Sequence, residues 1–128
     1  MNEATTQAAV RILASKEGAM FLRYQVGTFI ALDGSYVDIG VKGVSDLIGL
    51  IPHTVTQEDV GKTIGVFAAW EMKQVKDKTS KKRKEDQGKF LRRVNALGGI
   101  AGIVRSEEQA ADILTRKWDS EYVKQYTP

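Results

Sequence analysis

An α/β fold, with a mixed central sheet flanked by helices, is predicted for this chain by three observations. Apolar residues recur at helical spacing near the start, beyond the middle and near the end. Runs rich in Val, Ile, Phe and Tyr, broken by glycines, fill the first gap, and one short apolar run, "IAGIV", fills the second. The order is helix, several strands, helix, strand, helix, and a mixed sheet with helices on its faces accommodates it most simply.

Each element has a local reason. Across residues 3–17, Ala8, Ala9, Ile12 and Leu13 are spaced for one helical face, and Gly18 follows Glu17 as a stop. From Met20 to Ile51 the chemistry is that of strands and turns, punctuated by Gly27, Asp33-Gly34, Gly40 and Gly43. Asp33-Gly34 is a hairpin signal, and two or three strands are expected there. "PHTVTQEDVGKTIG" breaks the apolar pattern, and Thr56 followed by Asp59 resembles an N-cap with an acidic first turn. Residues 64–73 return to strand character. From Ser80 onward, Phe90, Leu91, Val94 and Leu97 repeat at helical spacing as far as Gly98-Gly99. "SEEQ", residues 106–109, matches a capping box before Ala110, Ile113 and Leu114, which predicts a third helix to about Trp118.

A length of 128 residues suits one domain with one core, read as 1–128 with a loosely held tail at 119–128. The apolar share of 42% and charged share of 27% are those of a soluble globular chain, and no apolar run approaches the roughly 20 residues of a membrane span. The amino terminus has no basic segment leading into an apolar one, so a cytoplasmic location is expected. The absence of cysteine excludes disulfides, thiolate zinc sites and thiol nucleophiles, and leaves oxygen ligands or the single His53 for any metal.

The net charge of +3 identifies no partner, but its distribution is uneven. "KQVKDKTSKKRK", from Lys73 to Lys84, sets a run of lysines and one arginine against a single aspartate, and such a block attracts polyanions such as DNA phosphates. It starts beside "AAWEMK", in which strand alternation turns Glu71 and Lys73 to one side and Met72 to the other. In "GVSDLIGL" a turn at Gly43 presents Asp46 at the head of another apolar strand. Two carboxylates brought together repel, and a proton, a lysine or a divalent cation relieves them.

Taken singly, each residue also has a plain structural explanation. Glu71 and Lys73 can be an exposed same-face ion pair worth roughly 0 to 1 kcal/mol, Asp46 a turn residue, Gln87 helix surface, and Glu3 a frayed terminus. His53 reads as a loop residue without a role, and Trp70 and Trp118 as core.

As an ordered set the residues resemble a known family. Glu3 with Gln7 one turn later, "RYQVGTF", "GVSDLIGL", "AAWEMK", Gln87 with "FLRRV", and "GGIAGIVRSEEQA" are similar to a stand-alone VRR-NUC domain. That is the virus-type replication-repair nuclease branch of the PD-(D/E)XK superfamily, of the kind found in phage genomes. The resemblance runs from Glu3 to about Trp118 and implies a restriction-endonuclease-like fold. It implies that Asp46 and Glu71 ligate metal, with the backbone carbonyl of Met72, and that Lys73 completes the E-x-K. Gln87 would be the supporting helix glutamine and Glu3 the amino-terminal glutamate, with Glu17 as another acid on the same helix. Ser45 stands where the family has proline, and Gly43 still supplies the turn.

The chemistry asks for these residue types. Phosphodiester hydrolysis needs a water made nucleophilic at neutral pH and compensation of developing charge, which Mg²⁺ or Mn²⁺ on carboxylates supplies. Lys73 would orient the water, activate it or stabilise charge, and Lys76, Lys78, Lys81, Lys82, Arg83 and Lys84 would track the DNA strand. A Holliday-junction-resolvase-like endonuclease must cut two strands symmetrically, which implies a homodimer on branched DNA. The alternatives are a non-catalytic nucleic-acid-binding module of the same fold and an interaction subunit with structural carboxylates.

Overall fold

The computed structural model describes residues 2–74 and 78–115. The chain divides into two compact units, Met1–Ile51 and Pro52–Pro128, each with its own strand ladders.

In the first unit, helix α1 (Glu3–Lys16) starts where the Asn2 side chain accepts the Thr5 N–H at 2.8 Å. It ends in a Schellman turn: Gly18, at φ +81°, donates to Ser15 O at 3.1 Å, and Ala19 donates to Ala14 O at 2.9 Å. Strand β1 (Met20–Arg23) then pairs antiparallel with β4 (Leu47–Leu50). Between them β2 (Gly27–Ile30) and β3 (Tyr36–Ile39) form the predicted hairpin, so this region holds four strands rather than two or three. Gly40 follows β3 at φ +75°, where a Cβ would collide with the Gln25 carbonyl, so the position requires glycine.

The spacing that predicts α1 does not describe how it packs. Ile12 and Leu13 are each 59% exposed, and the helix buries none of its residues. It rests on β1 instead, where the Arg11 Nε donates to Phe21 O at 3.3 Å and Gln7 and Ala14 are partly covered.

The second unit opens with a single 3-10 turn, Gln57–Asp59, at the predicted Thr56 cap. Strand β5 (Ala68–Met72) and β6 (Ile100–Val104) run parallel, joined by helix α2 (Lys81–Ala96), as a parallel pair requires. Helix α3 (Glu107–Thr115) packs on β6, and the predicted extension to Trp118 and the tail 119–128 lie outside the described residues. "IAGIV" is apolar throughout because helices lie against both faces of the ladder. Toward α3, Ile100, Val104 and Ile113 form a buried cluster with Val66, Trp70 and Ala110 packed on it, while Gly88, Leu91 and Val94 are the buried residues of α2.

Local stops and starts follow the sequence closely in this unit. Helix α2 ends in a second Schellman turn, with Gly98 at φ +96° donating to Asn95 O and Gly99 donating to Val94 O at 2.9 Å. At α3 the Ser106 hydroxyl accepts the Gln109 N–H at 3.1 Å, whereas the Gln109 side chain reaches one residue further back than a capping box, to Arg105 N at 2.7 Å. The architecture is therefore α/β, with helices on small antiparallel and parallel ladders of two strands each. No helix among the described residues is long and apolar enough to cross a membrane.

Candidate functional site

Each unit gathers part of the predicted set. In the first, Glu3 is the first residue of α1, where its carboxylate lies at the positive end of the helix. Asp46 precedes β4, and its carbonyl accepts the Tyr24 N–H at 2.8 Å, which extends the β1–β4 ladder by one residue and fixes its backbone. Its side chain stays exposed, beyond the turn that Gly43 makes at φ +93°. Glu3, Thr6, Gln7, Val10, Asp46 and Leu47 line one open recess, so two carboxylates share it. Glu17 caps the other end of α1, about 20 Å away by helical rise.

In the second unit the E-x-K pair meets the helix glutamine. Glu71 and Lys73 face the α2 side of the ladder, and the Lys73 backbone N–H continues the parallel pairing by donating to Val104 O at 3.1 Å. Gln87, nearly two turns into α2, donates from Nε2 to Glu71 Oε1 at 2.9 Å. The Lys73 ammonium lies 3.7 Å from the same oxygen and donates to the Thr79 hydroxyl at 2.7 Å. Burial here is asymmetric: the Lys73 side chain is 6% exposed and that of Glu71 is 32% exposed. A covered ammonium demands hydrogen-bond acceptors, whereas the carboxylate keeps an edge open to solvent.

A recess lies beside this group, lined by Ala69, Trp70, Glu71, Asp86, Gln87, Phe90 and Leu91. Asp86 is a second carboxylate there that sequence reasoning passed over, although its place next to Gln87 on α2 was the available signal. Trp70 belongs with the core cluster, as expected, and its indole Nε1 is buried without a hydrogen-bond partner among the described residues. Met72 closes β5 with an exposed side chain.

The lysine-rich segment leads into α2. Lys78, Lys81, Lys82, Arg83 and Lys84 are exposed, and Lys76 lies outside the described residues. Ser80 caps the helix by accepting the Arg83 N–H at 3.3 Å. The first turn then carries no acidic residue, only cations, at the helix end whose dipole is already positive.

His53, read as a plain loop residue, has a partner after all. Its Nε2 lies 2.7 Å from Asp59 Oδ2, which also accepts the Thr56 N–H at 2.9 Å, while Lys62 reaches Asp59 Oδ1 at 3.3 Å. The Thr56 N–H, the His53 ring and Lys62 together hold the Asp59 carboxyl well below the usual carboxylate range. The cluster pins the turn in place.

Among the described residues no group of three or more His, Cys, Asp or Glu side chains is placed to hold a metal ion. The donors present are nonetheless hard oxygens, and the recess at Glu3 and Asp46 offers two carboxylates, a set suited to a hydrated divalent cation that retains several waters. Comparison of the chain with family models, curated proteins and solved structures returns no match.

Proposed function

We propose that this chain is a metal-dependent DNA endonuclease of the VRR-NUC branch of the PD-(D/E)XK superfamily. In this reading it hydrolyses phosphodiester bonds in branched DNA, resolvase-like, during phage replication or repair. The observation that carries the reading is the grouping around Glu71: a glutamine from the following helix at 2.9 Å and the E-x-K lysine at 3.7 Å, both on Oε1. A chance same-face ion pair explains Lys73 but not the glutamine.

The roles come from the resemblance, and the hydrogen bond between Gln87 and Glu71 supports the part of them that falls in the second unit. Gln87 donates to Glu71 Oε1 and so orients the carboxylate, which would hold a metal ion with its other oxygen. By the resemblance Asp46 and Glu71 would be the metal ligands, with the Met72 carbonyl and Glu3 as further ones. A Mg²⁺ or Mn²⁺ on such carboxylates would supply Lewis acidity and make a water acidic enough to act as nucleophile near neutral pH. Lys73 directs its ammonium at the attacking water or at the phosphate oxygen that gains charge.

The start of α2 supplies the argument for DNA. Consecutive cations at a helix N-terminus cost stability, about 0.3–1 kcal/mol each at low salt, and a polyanion on that end offsets the cost. A non-catalytic DNA-binding module draws the same support from this feature, so it is the second reading. The homodimer finds a surface in the β2–β3 hairpin. Phe29, Ile30, Leu32, Tyr36, Val37 and Ile39 are all exposed, and no Lys or Arg occurs from Gln25 to Val41. That surface suits a second protein copy, which must contribute roughly 800 Å² to a standard interface, and does not suit phosphate.

The test is cleavage of a labelled four-way junction, linear duplex and flap with Mg²⁺, Mn²⁺ or chelator, by wild type and Glu71→Gln. Metal-dependent cutting that the substitution reduces to background, with folding and DNA binding retained, is the expected result. Binding of all three DNAs without cutting under either metal would replace the nuclease with the binding module.

A further inference from the structure

We propose that the recess lined by β5 and α2 is a subsite for one unpaired nucleobase, guanine above the others, an inference that rests on reading the chain as a protein that acts on DNA. The recess offers about 320 Å³, the room of a small heterocycle rather than of a duplex. Its lining divides by chemistry. Phe90, Leu91 and Ala69 supply an aromatic ring and apolar walls, Asp86 and Glu71 supply carboxylate oxygens, and no Lys or Arg among the described residues lines it. A phosphate finds no cation there. What fits is a flat ligand that brings N–H donors, because carboxylates only accept.

Asp86 is the acceptor available for such a ligand. It is exposed and forms no hydrogen bond or ion pair among the described residues, whereas Glu71 Oε1 is already engaged by Gln87 at 2.9 Å. Asp86 and Phe90 stand four residues apart on α2, which makes them neighbours on one face, so a base laid on the ring brings its edge to the carboxylate. Lys82 precedes Asp86 by four residues, about 6 Å of helical rise, so a strand whose phosphate rests on that cationic turn has its base within reach of the recess. Guanine suits the carboxylate best. Its N1–H and amino N–H lie side by side and pair with both oxygens, where cytosine and adenine bring one amino group and thymine sets carbonyl oxygens against the charge. That edge is occupied in a duplex, so the base must be unpaired, as nucleotides at a branch can be.

The test measures, in chelator, the Kd of wild type, Asp86→Asn and Phe90→Leu for a duplex carrying one unpaired G, C, A, T or abasic nucleotide, beside the fully paired duplex. Wild type is expected to bind the duplex with unpaired G about tenfold more tightly than those with unpaired T or an abasic nucleotide. Asparagine presents one donor and one acceptor, the complement of the thymine edge, so Asp86→Asn should lose the guanine preference and gain affinity for unpaired T. Phe90→Leu should weaken all four bases severalfold while the abasic and paired duplexes bind as before. Because Asp86 is exposed, its replacement leaves the core intact and the test does not depend on how well Phe90→Leu folds. Equal affinity of wild type for all five unpaired sites would overturn the inference, as would an Asp86→Asn variant that keeps the wild-type order of bases. A guanine preference without cleavage in Mg²⁺ or Mn²⁺ would uphold the subsite and remove the nuclease, whereas a wild type that binds no DNA would remove both.

Discussion

Glu71 is the residue on which the proposed chemistry turns, and its neighbour on α2 shows how a helix tunes a strand carboxylate. The Gln87 amide engages one oxygen at 2.9 Å, which sets the plane of the carboxylate without neutralising it. Partners that orient a metal ligand typically matter by about 10–100-fold, so Gln87→Ala is expected to lower cleavage by that order while DNA binding holds. An unchanged rate would return Gln87 to plain helix surface. Asp59 makes a different kind of statement, about pH. Its carboxyl is held below the ordinary value by the Thr56 N–H, the His53 ring and Lys62, so it binds a proton less readily in the folded than in the unfolded chain. The stability it contributes is therefore complete above the unfolded value of about 3.9 and shrinks as pH falls further. Melting curves of wild type and Asp59→Asn should differ at pH 5 and converge below pH 4; a gap that widens in acid would show that the hydrogen bonds to Asp59 are not what lowers its pKa.

At the scale of elements, α2 sets stability against binding. Its buried side, Leu91 and Val94, fixes it on the β5–β6 ladder, while its first turn gathers cations at the positive end of the dipole. Replacing Lys81, Lys82 and Lys84 with glutamine should raise the melting temperature at low salt, weaken DNA binding and flatten its salt dependence. Equal DNA affinity before and after would take this turn out of the DNA path. The packed side behaves oppositely: Leu91→Ala should cost about 2–5 kcal/mol, read from denaturant unfolding, because the residue is 2% exposed and truncation removes buried apolar contacts. A cost below about 1 kcal/mol would mean that the helix is held elsewhere.

For the molecule as a whole, the exposed apolar β2–β3 hairpin is the surface on which the proposed dimer is tested. All of β3 is exposed, so both of its faces lie in solvent, and the only charges from Gly27 to Ile39 are Asp33 and Asp38, each tied to a neighbouring hydroxyl, Ser35 and Thr28. A second copy of the chain offers an equally apolar, equally lysine-free surface. Light scattering should then give twice the chain mass for wild type and one chain mass for an Ile30→Lys, Leu32→Asp variant whose circular dichroism is unchanged. A wild type that remains a monomer at tens of micromolar would leave the dimer without support.

Short-range chemistry was legible in the sequence because its partners lie a few residues apart. The glycine stops at Gly18 and Gly98, the turn at Asp33-Gly34, the Ser106 cap and the same-side placement of Glu71 and Lys73 all depend on local geometry, and each occurs where the residues predict it. What only the tertiary structure decided involves partners brought together by chain reversal. Periodicity marks the apolar side of α1 but cannot say whether anything lies against it, and Ile12 and Leu13 remain exposed. The return of α2 across β5 places Gln87 on Glu71, and the segment ahead of that helix places Thr79 on Lys73. Side-chain type names the groups able to do the chemistry; the path of the backbone sets the distances at which they do it.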